Sequence, residues 1–172
     1  MLEGLSRAEP AALPFEVRLA DLISEGHRLA CSMVHDPAEA EDIVQEAALK
    51  AWRKQSRLRP GSDVRPWFLG IVANECRSAL RSRWASVLRL PFSIPSTTTT
   101  AEDEALRGAD LRRAILGLPH GSRLVVVLYF YLDLPLEEVA RIARLSVPAA
   151  RGRLYRAIGR LRPGLDPEEA RR

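Results

Sequence analysis

Leu136–Leu161 reads LEEVARIARLSVPAARGRLYRAIGRL, and two helical periods separated by a four-residue turn account for it. Leu136 to Ala143 puts Val139, Ile142 and Ala143 on one inner side, as a short amphipathic helix requires. Arg144-Leu145-Ser146-Val147 makes the turn, and Ser146 suits the N-cap because its hydroxyl can accept an orphan backbone N–H. Pro148 falls just inside the next helix, where a missing N–H costs nothing. In that helix Ala150, Leu154, Ile158 and Leu161 share an inward stripe, and Ala149, Gly152, Arg153, Arg156 and Arg160 share the opposite one. From Ala140 through Leu165 there is no acidic residue, while Arg141, Arg144, Arg151, Arg153, Arg156, Arg160 and Arg162 are all positive. This is a helix–turn–helix whose second helix suits a major groove: guanidinium donors for phosphates and base edges, small residues for close approach. A solvated Arg-rich helix packed on its neighbour is the plainer alternative.

Working outward, helical periodicity dominates the chain and no stretch alternates like a strand, so the fold class is all-α. Phe15 to His35 reads as one amphipathic helix ending near Asp36-Pro37. Pro37 and the acidic run behind it form the first turn of a second helix reaching about Arg57, with carboxylates at the positive helix end. Arg59-Pro60-Gly61-Ser62-Asp63 is a loop by its turn residues, and a third helix covers about Val64 to Trp84. Leu90-Pro91-Phe92-Ser93-Ile94-Pro95-Ser96 and the threonines from Thr97 to Thr100 resist both helix and core, and read as an extended linker. A second helical block runs from near Ala101 to about Pro163, punctuated at Leu118-Pro119 and Leu134-Pro135. The expected layout is a tail over 1–14, a helical bundle over 15–85, and a flexible linker over 86–105. A helix–turn–helix domain over 106–165 and a tail over 166–172 complete it.

Composition narrows the function classes. With 172 residues and 47% hydrophobic content the chain can bury a core, and global disorder is excluded. The net charge of +4 is modest, but of the 26 basic residues only Lys50 and Lys54 are lysine. Arginine's planar fork suits phosphates and guanine edges, which brings nucleic acid among the partners. Cys31 and Cys76 make neither a C-x-x-C motif nor a disulfide framework, as in a reduced intracellular protein. No signal peptide is evident, and the longest apolar run, Leu124 to Leu132, is about half a membrane span, so a cytoplasmic chain without membrane insertion is expected.

Two further helices carry distinctive surfaces. Between Asp36 and Leu49 every charge is negative: Asp36, Glu39, Glu41, Asp42 and Glu46. At helical spacing Asp42, Gln45, Glu46 and Arg53 share one face, and Val44, Ala47, Ala48, Ala51 and Trp52 share the other. Such an acidic face repels DNA; it can bind a basic protein surface or stay solvated. The third helix mixes Arg65, Trp67, Phe68, Arg77, Arg81, Arg83 and Trp84 with Asn74, a combination that suits a single strand. Trp67 and Phe68, at helical spacing with Ile71 and Val72, fit the core better, leaving Asn74 and the arginines as contact candidates.

In this order the pieces resemble one family. Asp36 to Arg53, with its Asp42-x-x-Gln45-Glu46 core, looks like the acidic helix of bacterial sigma factors. Arg65-Pro66-Trp67-Phe68-Leu69-Gly70-Ile71-Val72-Ala73-Asn74 looks like their promoter-melting helix, and Leu118-Pro119 followed by Leu136 to Arg160 is similar to their C-terminal helix–turn–helix. The resemblance spans roughly Phe15 to Pro163, and the short strap between domains points to the minimal, extracytoplasmic-function group. It implies a transcription initiation factor that binds core RNA polymerase and directs it to promoters. Asp42, Gln45 and Glu46 would dock on the clamp helices of the polymerase largest subunit. Leu58, Arg59, Asn74, Arg77, Ser78 and Arg81 would hold the opened −10 element as single strand, returning the few kcal/mol that base extrusion costs. Arg144, Ser146, Ala149, Arg151, Arg153 and Arg156 would contact the −35 element as duplex. An anti-sigma factor is the implied regulator.

Four positions depart from the family's habit: Leu58 where an aromatic is common, Ser78 for Asp or Asn, Arg144 for Gly, and Ala149 for a polar residue, often Thr. They bear on promoter sequence more than on function. The rival is a stand-alone helix–turn–helix regulator that never touches polymerase. A zinc site on His27, Cys31 and His35 is disfavoured, since eight residues rise about 12 Å along a helix. No catalytic set or phosphate loop is present, so neither enzymatic activity nor a cofactor or metal is expected.

Overall fold

A computed structural model describes residues 14–34, 36–59, 61–87 and 111–161, and these are helical with no strand among them. The N-terminal half holds α1 (Phe15–Ala20), α2 (Ile23–Val34), α3 (Pro37–Lys54) and α4 (Val64–Val87), with a 3-10 turn at Gln55–Arg57. The C-terminal half holds α5 (111–116), α6 (His120–Val126), α7 (Leu136–Ala143) and α8 (Val147–Leu161). The segment read as the linker lies almost entirely outside the described residues, as do His35, Pro60 and both expected tails; α4 runs on to Val87.

Local chemistry sets the helix boundaries. Asp36 caps α3 by accepting from Ala38 N at 2.9 Å and Glu39 N at 3.3 Å, with Pro37 in the first position. Asp63 does the same for α4, accepting from Arg65 N at 2.9 Å. The single helix expected over Phe15 to His35 is instead two: Leu22 N donates to Leu19 O, an i−3 bond that tightens and ends α1. The break lets each piece follow its own neighbour. Phe15 meets Trp67 edge-on, with ring centroids 6.1 Å apart. Gly26 lets α2 press on α4, because a Cβ there would lie 2.9 Å from Phe68 Cε1.

The N-terminal core is three helices packed pairwise. Leu29, Ala30, Met33 and Val34 of α2 meet Ile43, Val44 and Ala47 of α3 and Phe68, Leu69, Val72 and Cys76 of α4, all buried. Trp52 departs from expectation: it is 47% exposed, and Ala51 takes the inner position. One step round the helix separates them, and the inner stripe of α3 runs through its alanines and Ile43-Val44.

In the C-terminal half, α6 does not end at Val126 but widens into a π turn over Val127–Tyr131, closed by Leu132 N donating to Val127 O at 3.0 Å. The wider turn keeps Leu128 buried while Tyr129, Phe130 and Tyr131 are exposed. α7 and α8 form the expected helix–turn–helix. Arg144, the turn residue, takes a left-handed conformation (φ 59°, ψ 48°), and Ala149 N donates to Ser146 Oγ at 3.3 Å.

The two halves touch, chiefly through α4 on α7 and α2 on α6. Arg123 of α6 is buried at that boundary, donating from Nη1 to Met33 O at 3.0 Å and from Nη2 to Leu116 O and Leu118 O. Its charge is held by carbonyls near helix C-termini, the negative ends of those helices. Burial lowers its pKa.

Candidate functional site

Three surfaces receive the residues singled out by sequence. On α3, Asp42 and Gln45 are exposed and Glu46 half-exposed, one turn apart along the outer face. Asp36 and Pro37 start the helix in the register that turns these three outward. Lys50 organises the group: its Nζ lies 3.2 Å from Glu46 and 2.7 Å from Glu75 of α4. The hydrogen bond to Glu75 raises the Lys50 pKa, so this ammonium stays charged throughout the physiological range. Asp42 and Glu46 line an acidic groove of about 290 Å³ with Glu39, Glu75 and Ser78, floored by Ile43 and Ala79.

Sequence reading missed two members of this face. Leu49 and Trp52, 50% and 47% exposed, follow Gln45 at i+4 and i+7 and so continue its row. Their spacing was visible, but an aromatic beside buried alanines reads as core. The outer face of α3 is therefore an apolar strip bordered by acids rather than an all-acid surface.

The −10 candidates divide between places. Leu58 and Arg59 line a cleft of about 410 Å³ with Arg57, Ser62, Asp63, Pro66 and Trp67, walled on the far side by Glu138 and Arg141 of α7. Asn74 and Arg77 lie farther along α4, at its contact with α7. Arg77 donates to Asn74 Oδ1 at 2.6 Å and to Ile142 O at 2.6 Å. Burial lowers the Arg77 pKa, and the nearby Arg144 charge lowers it further. Ser78 sits in the acidic groove beside α3, and Arg81 is exposed.

On α8 the inward stripe is buried at Ala150 and Leu154 and half-buried at Ile158 and Leu161. Of the outward stripe, Ala149, Arg156 and Arg160 are exposed and Gly152 is half-buried, and Arg151 is exposed beside them. Ala157 joins the inner side. Arg153 is half-buried, its guanidinium lying over Gly121 of α6, where a Cβ would collide with it. Tyr155, 52% exposed, adds an aromatic to this basic face. Arg144 at the turn reaches Asn74 Oδ1 at 3.0 Å, so one member of each candidate set is brought into contact with the other.

Other chemistry is sparse among the described residues. No group of three metal-ligating side chains occurs there, and Cys31 Sγ lies 3.6 Å from both ring nitrogens of His27. Among the described residues no helix is long and apolar enough to cross a membrane. The two clefts described above open on arginines or carboxylates.

Comparison with known proteins accounts for the layout. Residues 19–86 match the Sigma-70 region 2 family and residues 109–161 match Sigma-70 region 4. The chain is 30% identical to the RNA polymerase sigma factor SigV of Bacillus subtilis (strain 168), over 88% of this chain and 90% of that one. It is 30% identical to the ECF RNA polymerase sigma factor SigM of Mycobacterium tuberculosis, over 78% of this chain and 68% of the other. The sigma factor RpoE of Bartonella quintana, solved with the anti-sigma factor NepR, superposes with a TM-score of 0.75 at 26% identity, covering 86% of this chain and 93% of that one.

Proposed function

The chain belongs to the extracytoplasmic-function RNA polymerase sigma factors, and on that premise we propose how its surfaces divide the work of transcription initiation. The unit over 15–85 binds core polymerase and the −10 element; the unit over 106–165 binds the −35 element as duplex. Asp42, Gln45 and Glu46 dock on the clamp helices of the polymerase largest subunit. Leu58 and Arg59 receive an unstacked base of the −10 strand, and Asn74, Arg77, Ser78 and Arg81 track that strand. Arg144, Ser146, Ala149, Arg151, Arg153 and Arg156 face the −35 duplex.

The observation that carries this reading is the mixed outer face of α3. A solvated acidic helix has no use for Leu49 and Trp52 half in water, whereas a protein-docking face has an aromatic or apolar centre with a charged rim. A stand-alone DNA-binding regulator leaves that face idle, and the family relationship does not favour it. The chain acts in the cytoplasm as a specificity factor without catalysis or cofactor of its own. An anti-sigma factor restrains it, as the RpoE–NepR complex suggests by likeness.

The division of labour is tested by gel filtration with core polymerase. Trp52→Ala and Glu46→Arg are expected to lose co-elution at micromolar concentrations, while Arg156→Ala co-elutes like wild type and loses only promoter binding. Co-elution undiminished in both α3 variants would move the docking face elsewhere.

A further inference from the structure

Asn74 and Arg77, both proposed above to meet the −10 strand, are bonded to each other. They stand three apart on α4, so their side chains meet on one face of the helix. Arg77 Nη1 donates to Asn74 Oδ1 at 2.6 Å, and Arg144 Nη2 donates to the same oxygen at 3.0 Å. A guanidinium carries five donors and no acceptor, so only the oxygen of an amide can face it. The direction of the Asn74 amide is therefore settled chemically: Oδ1 is turned onto the arginines and Nδ2 is left for another partner.

The Arg77 bond lies within α4, whereas the Arg144 bond joins the two halves, so the first does not depend on how the halves pack. Hydrogen bonds from a charged donor are roughly twice as strong as neutral ones. Turning the amide over would lose such a bond and set N–H against N–H. Both residues are half-buried, which limits the water that could take the place of the bond. The second terminal nitrogen of Arg77 is also engaged, donating to Ile142 O at 2.6 Å. Arg77 thus ends on protein acceptors, while Arg81, one turn further along, is exposed and open to phosphate.

We propose that Arg77 is a positioning residue for base choice: it holds the Asn74 amide with Nδ2 outward, so that the base read there is a keto base, thymine or guanine, rather than an amino base, adenine or cytosine. Thymine O4 and guanine O6 accept from Nδ2, while the exocyclic amines of adenine and cytosine set a donor against a donor. An asparagine with a free amide pairs with adenine through both its oxygen and its nitrogen. Arg77 withholds that oxygen. The inference rests on the sigma-factor reading, which gives Asn74 its place at the −10 strand.

The test is transcription by the full chain with sigma-free core polymerase from one recognised promoter, with each position of the −10 element changed in turn to all four bases. The position read by Asn74 is the one whose preference disappears in Asn74→Ala. There, wild type should favour thymine or guanine over adenine and cytosine by at least about fivefold. Arg77→Met should bring that ratio to within about twofold of one, whatever it does to total transcript. Arg77→Lys keeps a cationic donor and should retain most of the preference. Asn74→Asp leaves an oxygen for Arg77 and removes only the outward donor. It should also lose the keto preference, and it serves if Arg77→Met fails to fold. An amino-base preference in wild type, or no position that depends on Asn74, overturns the assignment. So does a loss in Arg77→Met that is equal for all four bases, as from a broken phosphate contact. Absence of any transcript with wild type would remove the sigma-factor reading and this inference with it, so the presence of start sites tells the two failures apart.

Discussion

Lys50 and Glu75 join α3 to α4 through a 2.7 Å ion pair, and the same ammonium holds Glu46 at 3.2 Å. One cation thus fixes the bearing of a carboxylate that we propose docks on polymerase. The pair is partly in water, with side chains 33% and 19% exposed, so its worth to folding is about 1 kcal/mol or less. Lys50→Met should therefore shift the urea midpoint only slightly while weakening polymerase binding several-fold, as Glu46 loses its anchor. A stability loss above about 2 kcal/mol would make the pair a structural clamp instead.

Gly26 is where α2 and α4 approach most tightly on Phe68. Gly26→Ala gains about 1 kcal/mol of helix propensity and loses about 1–3 kcal/mol to overpacking against the buried ring. Chemical denaturation should show net destabilisation. A more stable variant would mean that Phe68 yields freely.

Arg144 holds φ 59° without being glycine. Arg144→Ala and Arg144→Gly both remove the side chain and its bond to Asn74, so they differ only in backbone preference. The glycine variant should be the more stable by about 1 kcal/mol, read from paired thermal melts. Equal stability would show that the turn relaxes out of the left-handed region.

Burial pushes the Cys76 thiol up to about 12, and burial also raises Cys31, though Arg112 opposes it. At pH 8 a thiol with that pKa is about one part in 10⁴ thiolate, so native Cys76 should resist iodoacetamide while Cys31 reacts first. Mass spectrometry of partly alkylated protein checks the order. Modification of Cys76 at a rate matching Cys31 would show that α4 opens readily.

Much of this was legible because it is local. The helix–turn–helix could be read down to the Ser146 cap, since capping and amphipathic stripes involve residues three or four apart. The Asp36-Pro37 start of α3 was legible for the same reason. The division of α1 from α2 was not, because its causes are the Phe15–Trp67 contact and the close approach at Gly26, both long-range. Trp52 was misplaced because apolar character outweighed its position one step beyond the inner stripe. The π turn hid inside an unbroken apolar run. The arginines joining the halves were invisible as such: most end on backbone carbonyls, and a carbonyl carries no signature in sequence.

We propose that this chain confers promoter specificity on core polymerase through the α3 face. The most direct measurement is transcription in vitro with sigma-free core polymerase on a pool of genomic promoter fragments, comparing wild type with Glu46→Arg. Discrete start sites with wild type that vanish with the variant are predicted. Absence of transcripts from a wild-type chain that still shifts duplex DNA would contradict the claim and leave a stand-alone regulator.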